Sequence, residues 1–233
     1  MSSLRAIVTD IEGTTTPIAF VKDVLFPFAR ARMHAYVRAH REEAPVRAAL
    51  MEVAEVSGLH VDATDALCAT LVTWIDEDRK ITALKLLQGL IWDAGYAEGA
   101  LRAPVYADAA RQLRAWHASG LRLYVYSSGS VHAQKLLFRH SDHGNLLHLF
   151  SGHFDTTTGG KREAASYMSI AQSIGLPPGD VLFLSDVTEE LDAAAATGMR
   201  TTWLVRPQDV SPTEDALRAS AHAVAATFDD IRV

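Results

Sequence analysis

The residues Ala6-Ile7-Val8-Thr9 form a short β-branched apolar run that stops at an acid, Asp10, with Glu12 and the turn residue Gly13 close behind. A continuous apolar run of this length, without alternation, is the pattern of a strand buried on both faces, which a parallel sheet with helices on each side provides. The same pattern returns along the chain. Leu121-Arg122-Leu123-Tyr124-Val125-Tyr126 closes on Ser127-Ser128-Gly129-Ser130 and leads into a helical pattern from Val131 to Arg139. Val181-Leu182-Phe183-Leu184-Ser185 closes on Asp186 ahead of an Ala-rich helix over 191–197, and Thr201-Thr202-Trp203-Leu204-Val205 is a further run before Pro207. Buried strands separated by helices predict an α/β chain around a parallel central sheet.

One block departs from that alternation. From Phe28 to about Gly99 the apolar residues recur at three- and four-residue spacing with no strand among them, predicting helices over 28–40, 44–57, 63–76 and 78–94. Four helices in succession are too many for one crossover and suit a separate lid. Residues 1–19 and 101–233 are therefore expected to form the core, and residues 20–100 a helical cap inserted after the first strand. The connecting stretch Ile18 to Pro27, apolar and flanked by prolines, reads as a short flap and hinge. Residues 140–161, with four histidines and a Gly-Gly pair, read as loop. His140, His143, His148 and His153 lack a cysteine and the i, i+4 spacing of a helical zinc pair, so they are expected at the surface or in hydrogen bonds rather than on a metal.

Composition narrows the function. With 48% apolar residues, the 233-residue chain can build a substantial core, and its formal charge of −6 argues against a nucleic-acid partner, which wants a basic face. The one cysteine, Cys68, excludes an internal disulfide and falls in an apolar helical pattern, as a packed core thiol does. No secretory signal and no apolar stretch approaching ~20 residues is present, so a membrane partner is not expected and the cytoplasm is the expected location.

The chemistry collects at strand and helix ends. In an open α/β sheet ligands bind outside the carboxyl ends of the strands. Asp10 and Asp186 each stand at such an end. Ser127 and Ser128 stand at another, ahead of a helix start suited to an oxyanion. Lys161 precedes the helix of residues 162–175, where a cation gains nothing from the dipole; this suggests an anionic partner, the alternative being a solvated surface lysine. Glu190 follows Asp186 by four positions. Two acids as close as Asp10 and Glu12 repel unless a cation or a proton lies between them, and hard oxygen donors favour magnesium over zinc. Together these groups describe a phosphate site with a metal.

The arrangement resembles the haloacid dehalogenase-like superfamily, whose Rossmann-like three-layer core and inserted cap match nearly the whole chain. Asp10-Ile11-Glu12-Gly13-Thr14-Thr15 takes the place of the more usual Asp-x-Asp-Gly-Thr. With Asp78-Arg79-Lys80, Leu84 to Trp92, Tyr126-Ser127-Ser128-Gly129-Ser130 and Leu149 to Thr156, it is similar to the superfamily branch of methionine-salvage enolase-phosphatases. That resemblance implies Asp10 as nucleophile, Glu12 as acid and base, and Lys161 as a catalytic cation. It implies Ser127 and Ser128, with Lys161, as phosphate ligands. One Mg2+ per chain would lie on Asp10, the backbone carbonyl of Glu12 and Asp186, with Glu190 behind them orienting Lys161 or a metal-bound water. It further implies a phosphorylated diketone as substrate, 2,3-diketo-5-methylthiopentyl-1-phosphate, and a monomer. Enolisation needs a base, for which Glu12 and the segments Asp78 to Lys80 and Lys85 to Trp92 are candidates. Alternatives on the same scaffold are another magnesium-dependent small-molecule phosphatase or a metal-free dehalogenase; a phosphate-binding regulatory module is the alternative outside enzymes.

Overall fold

Ala6, Ile7 and Val8 are at most 1% exposed. The computed structural model, which describes residues 3–209 and 212–233, shows how that burial is achieved. Along the chain the strands are β1 (Ala6–Thr9), β2 (Arg122–Tyr126), β3 (Phe150–Phe154), β4 (Val181–Ser185), β5 (Arg200–Leu204) and β6 (Ala223–Ala225). They form one sheet in the order β3-β2-β1-β4-β5-β6, all neighbours parallel. The strand order reverses at β1, so its carboxyl end is the switch point where a parallel sheet opens a crevice. This is the expected α/β architecture.

The helices are α1 (Ile18–Phe20), α2 (Phe26–His40), α3 (Ala44–Ser57), α4 (Thr64–Asp76), α5 (Thr82–Ala97), α6 (Ala107–Ala118), α7 (Val131–Arg139), α8 (Ala164–Ile174), α9 (Thr188–Ala195) and α10 (Glu214–Ala219). The chain divides into two compact units, Met1–Ala19 with Arg102–Val233, and Phe20–Leu101. In the first unit, one face of the sheet gathers Val8, Tyr124, Tyr126 and Phe183 with Tyr167 and Ile170 of α8 and Leu191 of α9. Each such side chain contributes roughly 1.5–3 kcal/mol relative to exposure.

In the second unit α2 to α5 bury one stripe each. Met33 and Val37, Leu50 and Val53, Leu67 and Leu71, and Leu87 and Ile91 are all at most 2% exposed, and their spacing of three or four is that of single helix faces. Cys68 lies fully buried among them, and that burial raises its thiol pKa, as befits an inert packed group.

Three sequence expectations are corrected. Residues 18–27, expected as a short flap and hinge, are helical throughout. After α1 the chain runs through a π-helical segment, Val21–Leu25, straight into α2. Pro27 has no N–H for the α ladder and its ring crowds the carbonyl four residues back; the helix widens there, with the Phe26 N–H reaching the Val21 carbonyl. The last helix of the second unit starts at Thr82 rather than 78. Asp78 takes φ 51°, the one positive φ at a non-glycine among the described residues, and this breaks the helical path after α4.

The third correction is β3, inside the stretch read as loop. Phe150-Ser151-Gly152-His153-Phe154 has neither an apolar run nor clean alternation because it is an edge strand, only partly buried. Gly152 is needed where it lies, since a Cβ there would come within 3.1 Å of the Tyr124 ring. His153 is hydrogen-bonded, its Nδ1 3.2 Å from Gln134 Oε1. Burial, aided by the Lys135 charge, lowers its pKa from 6.5 to about 4. Below about pH 6.5 the unfolded chain gains a proton that folded His153 refuses, so its stability contribution is full above that pH and is lost as pH falls towards 4. Discounted for partial exposure, the loss is about 2 kcal/mol. Denaturant melts at pH 7 and pH 4.5 should show His153→Gln losing correspondingly less on acidification than the parent. Among the described residues no three His, Cys, Asp or Glu side chains gather into a metal-binding group.

Candidate active site

Beyond β1 the chain turns sharply. The Asp10 N–H still donates to Leu184 of β4 at 2.9 Å, and then the N–H groups of Thr14, Thr15 and Thr16 converge on the Ile11 carbonyl at 3.2, 2.9 and 2.9 Å. Gly13 supplies the left-handed residue the turn requires, φ 67°. It also lets the loop close against Asp186, because a Cβ at Gly13 would lie 2.3 Å from Asp186 Oδ2. Gly13→Ala therefore combines backbone strain with a collision against a side chain of the site. We expect a thermal midpoint lower by several degrees, read by melting curves.

Asp10, 5% exposed, meets a cation. The Lys161 ammonium lies 2.8 Å from Asp10 Oδ1 and 2.7 Å from Glu190 Oε2, so one buried lysine bridges two acids carried by β1 and α9. Burial opposes the charge on Lys161, yet the Asp10 and Glu190 carboxylates outweigh it and hold its pKa above the ordinary lysine value. Glu190 is raised above the usual carboxyl range by burial and by Asp10, against the pull of Lys161. Its Oε2 also accepts the Ser185 hydroxyl at 2.9 Å, so the second acid is itself held in place.

Asp186 follows directly on β4. Its Oδ1 is buried and lacks a hydrogen-bond partner. Burial and then the nearby Asp10 charge push its acid up to about 7. A buried, unpartnered carboxylate oxygen facing a second carboxylate is what a bound cation would satisfy. The donors are hard oxygens, two carboxylates with backbone carbonyls at hand, and magnesium takes few protein ligands and keeps its waters. The residues present fit that ion.

The structure thus brings Asp10, Lys161, Glu190 and Asp186 to one edge of the sheet. Glu12 is half-buried in the loop after Asp10, where it bridges Thr16 in strand-like fashion. Ser127 is buried at the end of β2, beside β1, and its Oγ accepts the Gly129 N–H at 3.3 Å. Ser128 is exposed at the same turn. Ser130 caps α7, accepting the Ala133 N–H at 3.3 Å.

One residue carries no motif and was missed by the sequence reading. Arg206, 2% exposed, donates from Nε and Nη2 to the Thr14 carbonyl at 3.2 and 2.8 Å, and from Nη1 to Asp108 Oδ2 at 2.7 Å. It anchors the Asp10 loop from behind. The available signal was a charge placed two residues after the strand β5 and directly ahead of Pro207.

Residues 4–198 match the family described as haloacid dehalogenase-like hydrolase. The chain is 52% identical over 229 residues to enolase-phosphatase E1 of Methylococcus capsulatus, covering 98% of each chain. It is 54% identical over 222 residues to the protein of that name from Xylella fastidiosa, covering 95% of each. The chain belongs to the enolase-phosphatase E1 family. A crystal structure of the UTR4 protein from Saccharomyces cerevisiae superposes with a TM-score of 0.85 at 36% identity, covering 98% of this chain and 100% of that one. Haloacid dehalogenase structures at 18–19% identity, with TM-scores of 0.55–0.56, share the fold alone.

Proposed function

We propose that this enzyme enolises 2,3-diketo-5-methylthiopentyl-1-phosphate and then hydrolyses the phosphate, giving the acireductone 1,2-dihydroxy-3-keto-5-methylthiopentene. The observation that carries the hydrolytic half is the Asp10–Lys161–Glu190 bridge at the switch point of the sheet, together with the buried, unpartnered Oδ1 of Asp186.

Asp10 is the nucleophile. A carboxylate oxygen attacks phosphorus, the bond from phosphorus to the enol oxygen breaks, and an aspartyl phosphate forms. Lys161 holds the other oxygen of Asp10 and so fixes the direction of attack; its charge also offsets that gathering on the phosphoryl oxygens. Glu12 gives a proton to the departing oxygen, then takes one from the water that attacks the aspartyl phosphate, which releases phosphate and restores Asp10. Ser127 and Ser128 hold phosphoryl oxygens. Glu190, steadied by Ser185, keeps Lys161 aimed at Asp10. Asp10, the Glu12 carbonyl and Asp186 would hold one Mg2+, which when bound supplies positive charge against the phosphoryl group and the acids around it. We take the enzyme to act as a cytoplasmic monomer on a small phosphorylated diketone, with neither nucleic acid nor membrane as partner. No helix among the described residues is long and apolar enough to cross a membrane.

The test supplies the diketo phosphate with magnesium and follows enol absorbance in the ultraviolet alongside phosphate release. Absorbance rising ahead of phosphate, with phosphate release lost on chelation, supports the reading. Phosphate release from generic esters with no turnover of the diketo phosphate would replace it with a broader phosphatase. Glu12→Asp shortens the acid by one methylene and should keep the fold while lowering phosphate turnover about 100-fold. Near-parental kinetics would remove Glu12 from its role.

A further inference from the structure

Lys161 leads out of a loop with no ladder of its own, and three hydroxyls hold that loop carbonyl by carbonyl. Tyr126 at the end of β2 donates to the Gly159 carbonyl at 2.9 Å. Ser166 of α8 donates to the Gly160 carbonyl at 2.8 Å, and Tyr167 of α8 donates to the carbonyl of Lys161 itself at 2.6 Å. Backbone carbonyls buried away from water need partners, and here consecutive ones are served by side chains from two elements.

The glycines make this approach possible. Gly159 sits at φ 139°, a conformation closed to other residues, and a Cβ there would lie 2.2 Å from Ser166 Oγ. A Cβ at Gly160 would meet Glu163 Oε1 at 2.9 Å. The tyrosines are held in turn. Tyr167 is fully buried, edge-on to Tyr126 at 5.5 Å between ring centroids and to Phe183 of β4 at 4.9 Å. β2 and β4 are the two strands that flank β1, so the clamp on Lys161 is referenced to the same strands that position Asp10. The Tyr126 ring also presents its face to the ammonium, with Nζ 5.9 Å from the centroid.

We propose that Tyr167 and Tyr126, with Ser166, are positioning residues for the phosphatase step: their hydroxyls fix the backbone of residues 159–161 so that the Lys161 ammonium stays on Asp10. The inference rests on the role given to Lys161 above. None of the three needs to touch the substrate. A lysine has four rotatable side-chain bonds, and fixing its backbone removes the freedom that would let the ammonium leave the nucleophile.

The test is Tyr167→Phe, which removes one oxygen and keeps the ring between Tyr126 and Phe183. The expected result is a fall in kcat for phosphate release of about 10- to 100-fold with KM changed less than about threefold, as for a displaced catalytic group. In a Lys161→Met background the same substitution should cost nothing further in affinity for inorganic phosphate, measured calorimetrically with magnesium, because a residue acting through Lys161 has nothing left to position. Parental kcat in Tyr167→Phe, or a full additional loss of phosphate affinity in the Lys161→Met background, overturns the assignment. If Tyr167→Phe fails to fold, Tyr126→Phe carries the same two expectations. Running each variant on an aryl phosphate as well as the diketo phosphate separates the two readings. A wild type that ignores the diketo phosphate refutes the substrate, whereas a variant-to-wild-type ratio near one on either ester refutes the clamp.

Discussion

Asp10→Asn should leave the protein folded and abolish phosphate release, with kcat lower by at least about 10,000-fold. The amide cannot attack phosphorus, and Glu190, the other carboxylate on Lys161, is held by the Ser185 hydroxyl. The fold survives because Lys161 keeps Glu190 at 2.7 Å and the turn after β1 is built from backbone bonds that the substitution does not touch. Burial is the main cause that raises Asp186 and Glu190 and it remains in the variant, but the lost Asp10 charge is the next cause, so both acids move downward. Phosphate release and mass spectrometry of the quenched protein check the prediction. The wild type should show a phosphorylated species mapping to Asp10, and the variant none. A variant retaining a tenth of wild-type turnover would remove Asp10 from the nucleophile's role.

Arg206→Met should be the most destabilising single change in the first unit. The guanidinium serves the Thr14 carbonyl twice and Asp108 once, and lies 4.2 Å from the Tyr106 ring centroid and 5.2 Å from that of Phe228. Asp108 Oδ2 also accepts the Phe228 N–H at 2.7 Å, so the arginine joins the Asp10 loop, α6 and the C-terminal segment in one network. Methionine fills most of the volume but leaves a part-buried carboxylate without its cation and a carbonyl without its donors. Breaking one side of a buried pair costs about 3–5 kcal/mol, which for a chain of this size lowers the melting temperature by roughly 10 °C. Chemical denaturation monitored by tryptophan fluorescence measures it. A loss below about 1 kcal/mol would mean that the network is solvated in the folded protein.

The parts of this architecture that could be read from residues alone are those in which one physical effect acts without competition. β1, β2, β4 and β5 stand out because they carry apolar runs buried at or near the middle of a parallel sheet. β3 does not, because an edge strand needs only part of that burial and Gly152 and His153 satisfy local packing instead. The π-helical segment was hidden for a related reason: Pro27 reads as a helix breaker, and only the tertiary setting shows the helix widening around it. Asp10 and Asp186 are conspicuous as acids ending apolar runs, and Lys161 as a cation at the wrong end of a helix. The supporting groups are silent. Tyr126 and Tyr167 look like core aromatics until their hydroxyls are seen on the lysine loop, and Arg206 looks like a surface charge until its guanidinium is found on Thr14. Such roles depend on which distant carbonyl needs a donor, and that information lies in no local pattern.

The central place of β1 also bears on how the protein is made. β1 is made before both of its pairing strands, which begin at Arg122 and Val181. At common elongation speeds, the nascent chain carries this apolar segment without its second neighbour for about 170 residues of synthesis, on the order of 10–30 s. The helices of Phe20–Leu101 make mainly local contacts and can condense during that interval, while the sheet waits for its far end. Chaperone demand during translation should therefore fall on the first strand rather than on the helical segment that follows it.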